Sequence, residues 1–187
     1  MKLKQNIESL IKLSDDSWNI IESSFTMKSF CKGELLLSEG QICKFVAFNI
    51  DGIIREYFYH GGTDTTSDFI FQDSFFSAYS SFVNQTPSKV YLEALTDSQV
   101  LVMDYQTKQK LFETVPEWDR LARKITEQHY SAKEQRTNML ASMTAEEKYN
   151  ELLDYSNPEI IKKIPLKHIA SYLGITPETL SRVRKRV

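Results

Sequence analysis

The sequence predicts an α+β protein: an antiparallel β domain of the sandwich or barrel type, one long helix, and a small C-terminal helical domain. Three observations predict it. Between Phe30 and Asp104, short runs rich in Val, Ile, Phe and Tyr are separated by turn residues. After Pro116 the apolar period becomes helical and stays so to Met143. Leu166 to Lys185 then carries the apolar, glycine and capping positions of a helix-turn-helix. At 187 residues the chain is long for one domain and short for two full-sized ones. The predicted boundaries are 1–115 for the β domain with its N-terminal helix, 116–143 for the long helix, and 144–187 for the C-terminal domain.

Residues 3–25 read as helical. Ser14 is an N-cap, and Leu13 and Trp18 occupy the two hydrophobic-staple positions around it. In the β region, Lys32-Gly33-Glu34 and Glu39-Gly40-Gln41 bracket a strand at Leu35-Leu36-Leu37. Asp51-Gly52 separates Val46–Ile50 from Ile53–Tyr59 and predicts a hairpin, because both residues tolerate positive φ. Gly61-Gly62 marks the next turn. Val90–Leu95 and Gln99–Met103 are expected to pair as the last two strands.

In the long helix, Trp118, Leu121, Ile125, His129, Ala132, Arg136, Met139 and Met143 recur at spacings of three and four. That is close to a heptad seam on a helix about 38 Å long. Trp118, Leu121, Ile125, Ala132 and Met139 are expected to hold two copies together as a homodimer. The alternative is that the seam packs on its own β domain. His129 and Arg136 interrupt it. Thr144-Ala145-Glu146-Glu147 is a capping box that starts a new helix, and Asn157-Pro158 ends it.

Composition excludes several classes. Apolar residues make up 41% and charged residues 26%, which is ordinary for a globular chain. No stretch reaches the roughly 18 apolar residues of a membrane span, and no signal-peptide core follows Met1. A cytoplasmic protein is expected. Cys31 and Cys43 form no CxxC pair, so zinc ribbons and four-cysteine clusters fall away. His60, His129 and His168 are read as structural or surface residues, and no metal site is expected. No nucleophile elbow, phosphate loop or HExxH is present, so the chain is read as no enzyme.

The net charge of −2 hides an asymmetry: residues 158–187 carry seven basic and two acidic groups, and the remainder carries −7. A basic end on an acidic body suits nucleic acid. Within that end, Ile169 and Leu173 face inward, Ala170 is small where a second helix must approach, and Gly174 supplies the left-handed helix stop. Ile175 plugs the turn. Thr176 caps the next helix, and Pro177 opens it without needing an amide. Leu180 and Val183 anchor that helix, leaving Glu178, Thr179, Ser181, Arg182 and Lys185 on the other face. Such a helix can read a major groove: Glu178 can accept from a cytosine amino group and Arg182 can fork onto guanine. Thr176, Thr179, Lys162, Lys163, Lys167, Arg184, Lys185 and Arg186 would contact the phosphates. The expected partner is double-stranded DNA with a two-fold-symmetric site.

The Lys32-Gly33-Glu34 strand start, the long helix and the helix-turn-helix together resemble the Crp/Fnr transcription regulators over nearly the whole chain. The resemblance implies a jelly-roll β-roll sensor domain, a dimerisation helix and a regulator of transcription, with RNA polymerase a further candidate partner. It also implies base reading by Glu178, Ser181 and Arg182. Two departures matter. Where the family holds a cyclic phosphate with a Gly-Glu-Leu turn and an Arg-Ser pair, this chain has Gln72–Ser77 and Ser88-Lys89. No cofactor is identified, and cyclic AMP binding in the usual way is not expected. An effector pocket would be lined by Phe75, Phe76, Ser77, Ser88 and Lys89, sensing an unidentified small molecule; otherwise the roll is a scaffold. The sequence also stops at Val187, so the family's full β-hairpin wing is expected to be missing and phosphate contacts weakened. A ligand-binding β-roll with residual or lost DNA binding is the alternative reading.

Overall fold

The computed structural model describes residues 2–155 and 161–186. The chain divides into two compact units. One contains the residues up to Glu56 and Phe69–Gln128; the other contains Tyr57–Asp68 and the chain from His129 onward.

The first unit opens with helices α1 (Lys2–Leu10) and α2 (Asp15–Ser23). Ser14 caps α2 by accepting from the Ser17 amide at 3.1 Å. Glu117 then ties the cap down, accepting from Ser17 Oγ at 2.7 Å. The helical reading of 3–25 therefore resolves into two helices broken before Ser14, because a capped start needs an extended residue, and Ser14 has ψ 158°.

Eight strands follow: β1 (Thr26–Phe30), β2 (Leu35–Leu37), β3 (Phe45–Asp51), β4 (Ile54–His60), β5 (Thr63–Ile70), β6 (Phe75–Phe76), β7 (Tyr91–Ala94) and β8 (Ser98–Asp104). They form two four-stranded sheets, in the orders β1-β8-β3-β6 and β2-β7-β4-β5. The first sheet is covered on both faces, which is why β3 and β8 read as continuous apolar runs rather than alternations. Ala47 and Val100 turn toward the other sheet and meet Leu37, Ile54, Leu92 and Ala94. Their neighbours Phe48, Leu101 and Met103 turn the other way, against Leu3, Ile7, Trp18 and Ile21 of the N-terminal helices. Helix α3 (Tyr79–Asn84) sends Phe82 into the inter-sheet core, and α4 (Tyr105–Thr114), capped by Asp104, adds Leu111 to the helical layer.

Two strand pairings differ from expectation. Asp51-Gly52 makes no hairpin: β3 and β4 belong to different sheets, as do β7 and β8. Period-2 patterning fixes which face a side chain takes, not which strand lies alongside. Both turns instead cross from one sheet to the other and dock on each other. Gly52 has φ +92°, and a Cβ there would lie 2.2 Å from Ser98 Oγ and 2.7 Å from the Asp97 carbonyl. The Leu95 amide donates to the Ile53 carbonyl at 2.8 Å, and the Ile53 amide to Thr96 Oγ1 at 3.0 Å. The two-residue hairpin lies at Gly61-Gly62, where φ values of +59° and +83° suit a type I′ turn between β4 and β5.

The long helix α5 runs over Trp118–Ser142, 25 residues as its period predicts. Trp118 (5% exposed) and Leu121 (0%) lie inside the helical layer of their own chain, with Ile125 packed against it. In the single chain, Trp118 and Leu121 thus belong to the intrachain core, and Ile125 is half-buried at its edge. Ala132 is exposed.

The second unit contains the rest of α5, the β4–β5 hairpin tip, and helices α6 (Ala145–Tyr155), α7 (Leu166–Leu173) and α8 (Pro177–Val183). The capping box forms as read: the Thr144 amide donates to Glu147 Oε2 at 2.7 Å, and the Glu147 amide to Thr144 Oγ1 at 3.3 Å. Helix α6 packs on both α7 and α8. Its Tyr149 and Leu152 are buried, as are Ile161, Ile164, Ile169, Leu173, Leu180 and Val183 of this unit. The expected stop at Asn157-Pro158 lies outside the described residues. Among the described residues, no helix is long and apolar enough to cross a membrane.

Candidate nucleic-acid interface

Helix α7 ends in a Schellman arrangement. Gly174 takes φ +64°, its amide reaches the Ser171 carbonyl at 3.1 Å, and the Ile175 amide reaches Ala170 at 3.0 Å. The chain reverses within three residues. Thr176 stays extended (ψ 154°) and its Oγ1 accepts from the Thr179 amide at 3.2 Å, so α8 starts at Pro177. Ala170 is 1% exposed, which allows the close approach of α8. Each position read from the sequence thus performs its local task.

The burial of Leu180 and Val183 fixes the rotation of α8. Glu178, Ser181, Arg182, Arg184, Lys185 and Arg186 are left exposed, and Thr179 half-buried. Glu178 and Arg182 are one turn apart on one stripe of α8, and Lys185 lies in the turn that follows the helix. Arg182 Nη2 donates to Thr179 Oγ1 at 3.2 Å, which in turn bonds Thr176 Oγ1 at 3.2 Å. The Glu178 carboxyl is held below the usual carboxylate range, first by its own backbone amide, then by the Thr176 hydroxyl and the charge of Arg182. An acceptor and a cation therefore share one exposed stripe of the helix. Lys162, Lys163 and Lys167 are exposed on the segment leading into α7 and on α7 itself.

The five residues read as an effector pocket do not converge. Phe75 and Phe76 alternate across a strand. Phe75 stacks edge-on against Phe48 in the helical layer (4.9 Å), whereas Phe76 enters the inter-sheet core beside Phe45 (6.5 Å). Ser77 Oγ donates to the Phe45 carbonyl at 2.9 Å. Ser88 is 3% exposed, and its hydroxyl bonds both the carbonyl and the amide of Val90. Lys89 points to solvent. A groove of about 470 Å³ lies elsewhere on this unit, lined by Leu36, Leu37, Gln41, Ile42, Lys44 and Phe45. Cys31 is exposed and Cys43 buried, both free thiols.

Sequence reasoning missed a cluster around Arg136. This residue was read as a blemish in the seam. Its Nη2 donates to the carbonyls of Tyr172 (2.9 Å) and Thr66 (3.4 Å), and its guanidinium lies 3.7 Å above the centre of the Tyr172 ring. The Thr66 amide donates to Ser171 Oγ at 3.0 Å, and Lys133 pairs with Asp68 at 3.0 Å. Burial, then the charge of Asp68, pushes the Tyr172 hydroxyl above its ordinary range. The available signal was the charge itself: a cation at an apolar period position needs an acceptor.

Residues 27–115 match the family of cyclic nucleotide-binding domains. No curated protein matches the sequence. Several solved structures share the fold. FixK2 from Bradyrhizobium japonicum superposes with a TM-score of 0.75 at 21% identity, covering 87% of this chain and 83% of that one. A CooA variant from Carboxydothermus hydrogenoformans gives 0.70 at 17% identity, covering 95% and 86%. A protein from Eubacterium rectale described as a transcriptional regulator of the Crp/Fnr family gives 0.70 at 16% identity, covering 93% and 83%.

Proposed function

We propose, for a chain whose residues 27–115 belong to the cyclic nucleotide-binding domain family and whose fold is that of the Crp/Fnr regulators, that it is a dimeric, sequence-specific DNA-binding regulator of transcription. One observation carries this reading. Helix α8 is capped by Thr176, anchored by Leu180 and Val183, and turns Glu178, Ser181 and Arg182 outward on one face, with Lys185 exposed in the turn just beyond it. That is the arrangement a major groove reads against, with base-edge groups near the helix start and cations beyond it. Glu178, Ser181 and Arg182 read bases. Thr176, Thr179, Lys162, Lys163, Lys167, Arg184, Lys185 and Arg186 hold phosphates.

The homodimer rests on the middle of α5. From Thr126 to Gln135 every residue is exposed, and Tyr130 is 73% exposed. A helix stretch exposed over nearly three turns buries little apolar surface against its own chain. A two-fold partner helix against Ala132 would cover it, and a two-fold protein suits a two-fold site.

Family membership raises cyclic nucleotides as effectors. The residues do not fit the cyclic phosphate. Ser88 stands at the arginine position and is buried, its hydroxyl committed to Val90. Lys89 beside it offers a point charge without a bidentate fork. The roll senses another small molecule or serves as a scaffold. Isothermal calorimetry with cyclic AMP should give no saturable heat. A dissociation constant below about 10 µM, near −7 kcal/mol, would contradict this.

Fluorescence anisotropy on duplex DNA across salt concentrations tests the DNA reading. The expected result is tight binding of a symmetric duplex whose log affinity falls linearly with log salt. Equal, weak affinity for every duplex at every salt would favour a ligand-binding module without a DNA site.

A further inference from the structure

We infer that Arg136 is the positioning residue of the DNA-reading unit, fixing α7, and through it α8, to the long helix and to the β4–β5 hairpin tip. The inference rests on the DNA-binding reading above.

The carbonyls at the end of α7 have no partner inside the helix. The Gly174 and Ile175 amides serve those of Ser171 and Ala170. The carbonyl of Tyr172 is served by Arg136, from a different helix, at 2.9 Å. A guanidinium there also meets the negative end of the α7 dipole. The same guanidinium stacks on the Tyr172 ring at 3.7 Å, a contact that a lysine could not reproduce with its hydrogen bonds. Arg136 therefore holds one residue of α7 by both its backbone and its side chain.

The hairpin tip is joined to the same point. Thr66 is 1% exposed; its carbonyl accepts from Arg136 Nη2, and its amide donates to Ser171 Oγ. On α5 the next positions at spacings of three and four extend the contact. Lys133 pairs with Asp68 of the hairpin, and Leu140 lies 3.4 Å from where a Gly174 Cβ would stand. One face of α5 thus carries the hairpin at Lys133, both elements at Arg136, and the helix-turn-helix turn at Leu140. Arg136 Nη1 is buried with no hydrogen-bond partner among the described residues.

The experiment uses the full-length chain with Arg136→Met, which keeps the stem, and Ser171→Ala, a milder change that leaves Arg136 in place. Hydrogen exchange without DNA reads the clamp. Anisotropy on the wild-type protein's selected duplex reads its consequence. Arg136→Met should lose amide protection in 57–68 and 166–173 while β1 and β8 keep theirs. Its affinity should fall about tenfold or more, with the salt slope unchanged because no phosphate contact is lost. Arg136→Lys should not restore it. Ser171→Ala should shift the same amides by a smaller amount, and it decides the matter if Arg136→Met does not fold. Wild-type protection in both variants would overturn the inference. So would unchanged affinity, or a fall in affinity accompanied by a lower slope, which would make Arg136 a DNA contact. If the wild-type chain selects no duplex, the DNA reading fails, and the exchange pattern alone still decides whether Arg136 holds α7 to the hairpin.

Discussion

Arg182 and Glu178 stand one turn apart on α8, the one a forked donor, the other a carboxylate kept ionised by its own amide and by Thr176. Arg182→Ala should cost about 1–3 kcal/mol on the selected site and relax the preference at one base pair per half-site. Lys185→Ala should instead weaken all sequences alike and flatten the salt slope by about one unit per half-site. Anisotropy on matched and single-substituted duplexes separates the two. The helix geometry behind these proposed roles was legible because the motif positions are local: a cap, a turn and a helix start depend on neighbours three or four residues away. Arg136 was not legible, because its partners Thr66 and Tyr172 lie 70 and 36 residues away. The surroundings of Ser77 and Ser88 were not legible for a related reason. Their hydroxyls are spent on backbone, and only the packed roll shows that.

At the scale of elements, two glycines sort by what surrounds them. Gly52→Ala combines positive φ with a Cβ 2.2 Å from Ser98 Oγ and 2.7 Å from a backbone carbonyl. It should destabilise the chain by more than about 2 kcal/mol in urea titration. Gly61→Ala, with nothing within 4 Å, should cost only the backbone strain of about 1 kcal/mol. The start of α6 should be pH-dependent. The Thr144 amide, then its hydroxyl, holds the Glu147 carboxyl below its ordinary value of 4.5. The folded state therefore favours the carboxylate. Its contribution is complete above pH 4.5 and is lost as the pH falls through the lowered folded value. Glu147→Gln should be less stable than wild type near neutrality, and the difference should shrink as the pH drops below 4.5, measured by urea titration across pH. The helix limits were readable from these caps. Strand partners were not: Val90–Leu95 and Gln99–Met103 have the pattern of neighbours yet lie in separate sheets, because alternation records faces alone.

Across the whole molecule, the sequence is basic from residue 158 onward and acidic in the remainder. On the proposed DNA-binding reading, phosphates should attract the first and repel the second. Dimerisation should depend more on the exposed middle of α5 than on Ile125, which its own chain already half-buries. Ala132→Glu should convert a wild-type dimer to a monomer by light scattering, and an unchanged mass would remove that face from the interface. In the proposed dimer, the outer face of α8 should read a symmetric site in duplicate. Binding-site selection from random duplexes, run on wild type and on Arg182→Ala, tests it most directly. Wild type should enrich two inverted half-sites with centres one helical turn apart, about 10 base pairs, and Arg182→Ala should lose one base preference in each. Enrichment of no symmetric site, or the same preference in both proteins, would contradict the account.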